Sequence, residues 1–315
     1  MIFIDNLEKE KGDHSMNYRC AGIVTYQPNI SRLKNNIDAL VEQVDMIIII
    51  DNGSSNQNEL RNILGSYIKV SVIFNTSNIG IASALNQICT IARENRYDWC
   101  LLMDQDSICS DNLIKAYSNY INDNDIAILA PYIVDEFKIT LNQYKKLKLP
   151  EKSLCAYAIT SGSFINIKIW NDLDGFIDNM FIDGVDSEYS YRVREQGYKI
   201  YRINSCYILH QQGNKTEKTH IYRIYRDLAG NMSIKPAFRF NYSKVRWYYM
   251  ARNNLAIIRK YRGLNGSFIP LMSYILRFLS VIIIERDKKM VSNAIFKGIK
   301  DGLHYSFPET KNYRS

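Results

Sequence analysis

A nearly unbroken run of isoleucine restricts the fold of this chain more than any other feature. Residues 46–50 read Met-Ile-Ile-Ile-Ile and are followed by Asp51-Asn52-Gly53, a combination that favours a turn. A strand without alternating polar residues is buried on both faces, as in a parallel sheet that is covered by helices. The run therefore predicts an α/β domain.

Strand-like runs alternate with helical patterns through the first part of the chain. The strand patterns lie at residues 18–25, 46–50, 70–74 and 99–103, with a helical pattern over residues 79–92. This alternation is typical of an α/β domain. Ligands bind at the carboxyl ends of the strands in open α/β sheets, so the polar residues there are expected to line one crevice. These are Thr25, Asp51, residues 75–78 and residues 104–106.

The second half of the chain has a less regular pattern. Residues 126–130, 155–167 and 198–209 are predicted strands, and a helix is predicted from Asp186 to Gly197. The remaining expectations are an exposed loop over residues 135–154 and a helical, aromatic and basic region from residue 221 onward.

Charge is distributed unevenly between two parts of the chain. Residues 1–210 contain 20 Lys and Arg against 26 Asp and Glu, whereas residues 211–315 contain 20 against 6, a net charge of +14. The excess favours an anionic partner, such as nucleic acid, a membrane surface or a phosphate-bearing ligand, although a solvated basic surface is the alternative. Residues 268–284 are strongly apolar but include Pro270 and Arg277. They predict an amphipathic helix that lies in a membrane interface or packs on the sheet domain, rather than a spanning helix.

Cysteine spacing and missing motifs exclude several classes of protein. The six cysteines are far apart and form no C-x-x-C pair, so reduced core thiols of a cytosolic protein are expected. Charged residues near the N-terminus argue against a signal peptide, and residues 1–16 are predicted to be a tail. The absence of G-x-G-x-x-G, Walker A and G-x-S-x-G patterns argues against dinucleotide dehydrogenases, P-loop NTPases and α/β hydrolases.

Two acidic segments have the residue types of a catalytic site. Asp104 and Asp106 follow a buried strand, where they either hold a divalent cation or form a turn. Asp183, Asp186 and Glu188 stand at a predicted helix start, where carboxylates stabilise the N-terminus and where one of them can act as a general base. The residue types alone do not decide between these alternatives.

A histidine follows the last predicted strand. His210 is succeeded by Gln-Gln-Gly, and no metal-ligand spacing surrounds it. A lone histidine is more often a hydrogen-bonded structural residue than a metal ligand.

Taken in order, the motifs resemble those of family 2 glycosyltransferases of the GT-A fold, and specifically the bacterial rhamnosyltransferase-like branch. The resemblance covers about residues 17–260. It rests on residues 23–26 (Ile-Val-Thr-Tyr), 50–54 (Ile-Asp-Asn-Gly-Ser), 78–80 (Asn-Ile-Gly), 84–86 (Ala-Leu-Asn), 102–107 (Leu-Met-Asp-Gln-Asp-Ser), 181–198, His210 and 248–253 (Tyr-Tyr-Met-Ala-Arg-Asn).

The resemblance implies a Rossmann-like, mostly parallel central sheet that is flanked by helices and followed by a C-terminal helical extension. Residues 17–220 would form the catalytic domain, with a nucleotide-sugar half at 17–106 and an acceptor half at 107–220. Residues 221–315 would form a basic, membrane-associating helical region.

The resemblance also implies roles for individual residues. Asp186 would be the catalytic base, and Glu188 would orient the acceptor or the base. Thr25 and Asp51 would hold the base and ribose of the donor. The residues expected to bind the nucleotide sugar are Thr25, Tyr26, Asp51, Asn78, Gly80, Asn86, Asp104, Gln105 and Asp106. Those expected to hold Mg²⁺ or Mn²⁺ are Asp106, His210 and Asp104.

The implied activity is inverting transfer of L-rhamnose from dTDP-L-rhamnose to a polyprenyl-diphosphate-linked or oligosaccharide acceptor of an O-antigen or capsule. Transfer of galactofuranose from a UDP donor is an alternative, as is a non-catalytic nucleotide-sugar-binding protein. The implied location is the cytoplasm, on the inner face of the membrane. A nucleic-acid-binding protein would explain only the basic and aromatic composition, so nucleic acid is not expected as a partner.

Overall fold

The fold is described from a computed structural model of the chain. The structure describes residues 19–135, 139–210, 217–226, 232–263 and 269–309. The predicted tail at residues 1–16 lies outside the described residues.

Most of the described strands join one sheet. The strands are β1 (Arg19–Thr25), β2 (Met46–Asp51), β3 (Val70–Phe74), β4 (Trp99–Asp104), β5 (Ile108–Cys109), β6 (Ile126–Asp135), β7 (Lys152–Leu154), β8 (Ser163–Asn166), β9 (Lys199–His210), β10 (Glu217–Arg226) and β11 (Met232–Arg239). Within the described residues, nine of them form a sheet in the order β3-β2-β1-β4-β8-β6-β9-β5, with β7 also paired to β9. Strands β1 to β4 are parallel, as are β6 and β9, whereas β8, β5 and β7 run antiparallel to their neighbours.

Helices cover both faces of this sheet and form the C-terminal part. They are α1 (Ile30–Leu40), α2 (Gln57–Leu64), α3 (Ile81–Glu94), α4 (Leu113–Ser118), α5 (Leu141–Tyr144), α6 (Ile167–Asp172), α7 (Val185–Glu195), α8 (Lys244–Lys260), α9 (Ile269–Ile284) and α10 (Lys288–Leu303). A 3-10 turn at Asp178–Met180 precedes α7.

The isoleucine run is buried on both sides, as its sequence predicts. Ile48 and Ile50 pack with α3 and α7 on one face of the sheet, and Ile47 and Ile49 pack with α1 and α2 on the other. Each fully buried isoleucine contributes about 1.5–3 kcal/mol through the hydrophobic effect. The strand is therefore held between two layers of helices, and the predicted α/β sheet with flanking helices and a C-terminal helical part is confirmed.

Three predictions about local structure are wrong. Part of the region predicted to be helical from residue 221 is an antiparallel hairpin of β10 and β11. The predicted loop at 135–154 contains α5 and β7, and α5 begins with a capping box in which the Thr140 side chain accepts from the backbone of Gln143. The strand predicted over 155–167 is shorter, because Gly162 adopts a φ of +84° just before β8.

The C-terminal helices pack against one another around their own apolar cluster. Trp247 and Met250 of α8 are buried against Tyr274 and Phe278 of α9. Gly298 of α10 lies so close to α8 that an added Cβ would overlap the carbonyl oxygen of Tyr248. Among the residues that the structure describes, no helix has both the length and the apolar character needed to cross a bilayer.

All six cysteines are unpaired thiols, as predicted. Five are buried and Cys155 is partly exposed. Burial raises the pKa of both Cys109 and Cys206 to about 12, so these two thiols stay protonated at neutral pH.

Candidate active site

The ends of β1 and β2 carry a buried, fully hydrogen-bonded carboxylate. Thr25 pairs with Asp51 across the two strands, and its hydroxyl donates to the Asp51 carboxylate at 3.0 Å. The same carboxylate accepts from the backbone and side chain of Ser54, at 3.0 and 2.5 Å, and from the amide of Gln57 at 3.0 Å. These donors compensate for the loss of hydration around the charge and hold Asp51 in one orientation.

A glycine turn lies next to this carboxylate. The Asn52 amide donates to Asn78 Oδ1 at 3.0 Å and to the Gly80 carbonyl at 3.1 Å, and its oxygen accepts from the backbone of Ile79 at 3.0 Å. Gly80 has a φ of +89°, and an added Cβ would lie 2.9 Å from backbone atoms of Phe181. Only glycine fits this turn, because both its backbone conformation and the space around it exclude a side chain.

Tyr26 and Gln105 connect the ends of β1 and β4. The backbone N–H of Tyr26 donates to Gln105 Oε1 at 2.8 Å, and the Gln105 amide donates back to the Tyr26 carbonyl at 3.3 Å. The Tyr26 residue is 48% exposed. Its ring is therefore free to cover a flat ligand that enters beside Asp51.

Four chain segments bring charged groups to Asp104, the last residue of β4. Burial raises the pKa of this carboxyl to about 6; the charges of Asp106 and Asp186 add to the rise, and His210 and Arg246 oppose it. Residues 106, 186 and 210 thus all act on the charge of this half-buried carboxylate, although they come from distant parts of the sequence. A bound cation or a proton would relieve the repulsion among these carboxylates.

His210, the last residue of β9, contacts a polar residue between β4 and β5 through one ring nitrogen. Its Nδ1 is 3.2 Å from the hydroxyl of Ser107, and this contact leaves Nε2 for another partner. Carboxylate oxygens and imidazole nitrogen, the donor types of Asp104, Asp106 and His210, are ligands that Mg²⁺ and Mn²⁺ accept. Within the described part of the chain, no three such side chains are arranged as a ready-made metal cluster.

Asp186 lies in the first turn of α7, and the local backbone fixes its orientation. One carboxylate oxygen accepts from the backbone N–H of Ser187 at 2.8 Å. Burial raises the pKa of Asp186, and hydrogen bonds from backbone N–H groups, including that of Thr160, partly offset the rise. The carboxylate is thus a stronger base than an exposed aspartate.

Glu188 is buried among hydrogen-bond partners within the protein. It has no exposed surface and accepts from Arg192 Nε at 3.1 Å, from Arg192 Nη2 at 2.8 Å and from the Tyr261 hydroxyl at 2.7 Å. Lys260 Nζ is 3.8 Å from the same carboxylate. The position of Glu188 favours a structural role for it over the predicted orientation of an acceptor.

Asn86 also has mainly structural partners. Its amide group donates to the Phe176 carbonyl and to Asp178, at 2.8 and 2.9 Å, and accepts from the Phe176 backbone at 2.8 Å. These bonds connect α3 to the segment before α7, so Asn86 acts on the site through the backbone that it holds.

Sequence reasoning missed two residues of α8 that reach the acidic region. Arg246 forms an ion pair with Asp183 at 3.2 Å and affects the charge of Asp104. Asn253 is fully buried and donates to backbone carbonyls just before α7. The motif at residues 248–253 drew attention to this helix, but the pattern did not indicate what the helix contacts.

Comparisons with known proteins show which proteins this chain resembles. The family profile described as "Glycosyl transferase family 2" matches residues 20–175. The chain is 28% identical over 253 residues to the dTDP-rhamnosyl transferase RfbF of Shigella flexneri, covering 76% of this chain and 79% of that protein.

A solved structure supports the fold. The crystal structure of GalNAc-T7 with UDP, GalNAc and Mn²⁺ has a TM-score of 0.54 and 13% sequence identity, and the match covers 78% of this chain but only 48% of that protein. The chain thus spans about half the length of this structural relative, and the predicted GT-A fold is confirmed. The family match and the relative together support a family 2 glycosyltransferase that resembles the rhamnosyltransferases.

Proposed function

We propose that this chain transfers L-rhamnose from dTDP-L-rhamnose to a hydroxyl group of a glycan acceptor, with inversion at the anomeric carbon. The observation that carries the proposal is the acidic region at the carboxyl ends of the central strands, where His210 Nδ1 lies 3.2 Å from the Ser107 hydroxyl and where Asp106, Asp186 and His210 act on the charge of Asp104. The similarity to a dTDP-rhamnosyl transferase supports the choice of donor. UDP-galactofuranose is the alternative donor, since uracil and thymine have the same N3–H and differ only by a methyl group.

Asp186 acts as the general base in this proposal. Its carboxylate removes the proton of the acceptor hydroxyl while that oxygen attacks the anomeric carbon and the diphosphate departs from the opposite face. Because burial raises the pKa of Asp186, proton transfer to it is easier than to an exposed carboxylate. General-base assistance of this kind contributes on the order of 10²–10⁴ in rate.

Asp104, Asp106 and His210 would hold Mg²⁺ or Mn²⁺. The ion would supply electrostatic stabilisation of the negative charge that develops on the leaving diphosphate. Ser107 orients the His210 ring through Nδ1, at 3.2 Å. The raised pKa of Asp104 supports the assignment, since a cation would offset the same repulsion that a proton offsets.

The test compares Asp186→Asn with Asp111→Asn, an exposed carboxylate outside the crevice. Asp186→Asn is expected to lower the transfer rate at least 100-fold while keeping nucleotide-sugar affinity, because amide and carboxylate have the same shape. Asp111→Asn is expected to retain full activity. Full activity of Asp186→Asn would refute the choice of base, and turnover of UDP-galactofuranose but not dTDP-L-rhamnose would refute the donor.

A non-catalytic nucleotide-sugar-binding protein is the rival function. It predicts binding of the donor without consumption of it, with or without an acceptor. Slow hydrolysis of radiolabelled dTDP-L-rhamnose by the wild-type chain in the presence of Mn²⁺, absent from Asp186→Asn, would exclude this rival.

We also propose that the acceptor is a polyprenyl-diphosphate-linked glycan of a surface polysaccharide and that the chain binds peripherally to the inner face of the membrane. Helix α9 is apolar on two faces, and only one of them is buried by α8 and α10. A contiguous apolar patch that is exposed to water often marks a surface that binds a membrane or another protein. The exposed face consists of Met272, Ile275, Leu276, Leu279 and Ile283, which are 42–62% exposed.

Charge favours a membrane over a second copy as the cover of this α9 face. Residues 211–315 have a net charge of +14, so the same region of two copies would repel each other. Anionic lipids instead attract basic residues, and each Lys or Arg near the membrane surface contributes about 1 kcal/mol to binding. We expect the chain to sediment with vesicles that contain anionic lipid, and Leu276→Ser/Leu279→Ser to lose most of this binding. Leu147→Ser/Leu149→Ser, at exposed positions in the sheet domain, is the matched control. Equal sedimentation of both double variants would refute this surface.

A further inference from the structure

The segment just before α7 has an unusual backbone. Phe181, Asp183 and Gly184 have φ angles of +59°, +62° and +84°. Residues with a side chain rarely adopt such angles, which persist only when the surroundings hold them in place. We call residues 180–184 the catalytic loop, because Asp186 follows it directly. Its conformation sets the direction in which the Asp186 carboxylate leaves the first turn of α7.

Asn253 of α8 binds the backbone of this catalytic loop. Its side-chain amide lies 2.8 Å from the carbonyl of Met180, 3.0 Å from that of Ile182 and 2.7 Å from that of Asp183. The side chain is completely buried. An amide nitrogen has only two hydrogens, so the three carbonyls share one buried donor group. This single side chain therefore connects α8 to three carbonyls of the loop, at residues 180, 182 and 183.

Other contacts show that the catalytic loop is enclosed between α8 and the donor side of the crevice. Arg246 pairs with Asp183, and the Tyr249 ring stacks on Phe181 at 4.9 Å between centroids. On the opposite side, the Phe181 carbonyl accepts from the backbone of Ile81 at 2.6 Å, next to the Gly80 turn. A shift of the loop would thus move the base relative to the donor.

We propose that Asn253 is a positioning residue for the transfer reaction, and that α8 belongs to the active-site framework. The proposal rests on the role proposed above for Asp186. Asn253 keeps the catalytic loop in its left-handed conformation, and the loop in turn presents the Asp186 carboxylate to the acceptor hydroxyl. The Asn253 amide nitrogen donates only to backbone carbonyls, while its Oδ1 accepts from Arg252 Nε of the same helix at 2.9 Å, so loss of the amide should impair catalysis more than donor binding.

The next residue of α8 provides a matched control. Asn254 is also an asparagine, but its amide donates at 2.8 Å only to Met250 within the same helix. Asn253→Asp removes the N–H donors and turns a carboxylate oxygen toward the loop carbonyls, whereas Asn254→Asp makes the same chemical change away from the loop. We expect Asn253→Asp to lower kcat about 10- to 100-fold, as small misplacements of a catalytic group do, with a donor KM within twofold of the wild type. Asn254→Asp should keep both constants within twofold.

A second measurement does not depend on activity. Hydrogen exchange of backbone amides in peptides spanning residues 176–190 should be at least 10-fold faster in Asn253→Asp than in Asn254→Asp, because the catalytic loop loses its anchor. Asn253→Ser, which keeps one donor, should give intermediate values of exchange and kcat. Asn253→Ser also replaces Asn253→Asp in both measurements if the Asp variant does not fold.

The outcomes separate this proposal from the proposed function. If Asp186→Asn is inactive but both Asn253 variants keep wild-type kcat and exchange, the positioning role is wrong and the base assignment stands. If Asp186→Asn is active, the base assignment is wrong, and the exchange data alone show whether Asn253 anchors the loop. A fall in apparent kcat that is no larger than the loss of folded fraction, together with exchange of residues 176–190 that is no faster than in Asn254→Asp, would reduce Asn253 to a purely structural residue and overturn the proposal.

Discussion

Removal of Glu188 provides a sharp test of whether this carboxylate is structural. In Glu188→Ala, Arg192 stays buried and keeps only carbonyl partners, Leu173 and Gly175, while Tyr261 loses the acceptor of its hydroxyl. Removing one partner of a buried ion pair typically destabilises a protein by about 3–5 kcal/mol, because the other charge remains without compensation. We expect a loss of this size in the free energy of unfolding.

The expected change is large enough to measure by thermal unfolding. With an unfolding entropy of about 2.1 cal/mol/K per residue, 315 residues give a fall in Tm of about 5–8 °C for that loss. Lys168 and Asp172 of α6 offer the control, since they form an ion pair at the same i,i+4 spacing with the lysine side chain 82% exposed. Asp172→Ala should cost less than about 1 kcal/mol, as exposed pairs do.

Two results would refute this reasoning. One is a Tm of Glu188→Ala that stays within 1–2 °C of the wild type. The other is a loss of transfer activity with unchanged stability, which would return Glu188 to the acceptor-orienting role that its sequence position suggests. Double-mutant analysis with Arg192→Ala would then show whether the two side chains are coupled at all.

Three further predictions concern the crevice and the helices around it. In the folded chain without metal, the pKa of Asp104 is raised to about 6 from 3.8, so the folded state is favoured by protonation and loses stability as pH rises through this window. Asp104→Asn should therefore raise the stability of the metal-free chain at pH 7 by up to about 3 kcal/mol and abolish any Mn²⁺-induced rise in Tm, as measured by denaturant unfolding and thermal shift. Asp106→Ala should remove the Mn²⁺ dependence of nucleotide binding in calorimetric titrations. Gly298→Ala should lower the free energy of unfolding by about 1–3 kcal/mol, since the added methyl group overlaps α8, and unchanged stability would show that α8 and α10 can separate at little cost.

The sheet domain was predictable because burial there depends on local patterns. The isoleucine run of β2 lies between two layers of helices, and alternate residues of the run reach opposite layers. Polar residues at the strand ends meet because parallel strands end at the same edge, as Thr25 and Asp51 show by pairing directly. In both cases the structure follows from a short stretch of sequence: an apolar run forms a buried strand, and the polar residues after such strands meet at one edge of the sheet.

The β10–β11 hairpin was not predictable for a related reason. In this hairpin, polarity does not indicate which side chains are buried. Thr219 is buried, whereas Tyr222 and Ile234 are 64% and 71% exposed. Pro236 lies within β11, although proline is disfavoured in strands. Pairing between the two strands therefore overrides the local preference, and no periodicity of two marks the hairpin in the sequence.

The partners of the acidic residues could not be predicted from residue spacing. Asp186 and Glu188 are two positions apart at one helix start, which makes them look equivalent in the sequence. On α7 they point to different surroundings, and the hydroxyl that binds Glu188 belongs to Tyr261, 73 residues further along the chain. Only the packing of α8 against α7 separates the predicted base from the buried ion pair.

The same packing argues against treating residues 221–315 as a separable module. The charge of the chain changes sign near residue 210, but the apolar core does not end there. Ile257 of α8 and Tyr261, which directly follows this helix, are buried in the same cluster as α3 and α7. On its other side, α8 buries Trp247 against α9 and accepts a hydrogen bond from Tyr274 at 3.1 Å through the Ala251 carbonyl. We infer that α8 belongs to the catalytic core and also supports the exposed α9 face. A change that disturbs the packing of α9 would therefore affect the catalytic loop through α8.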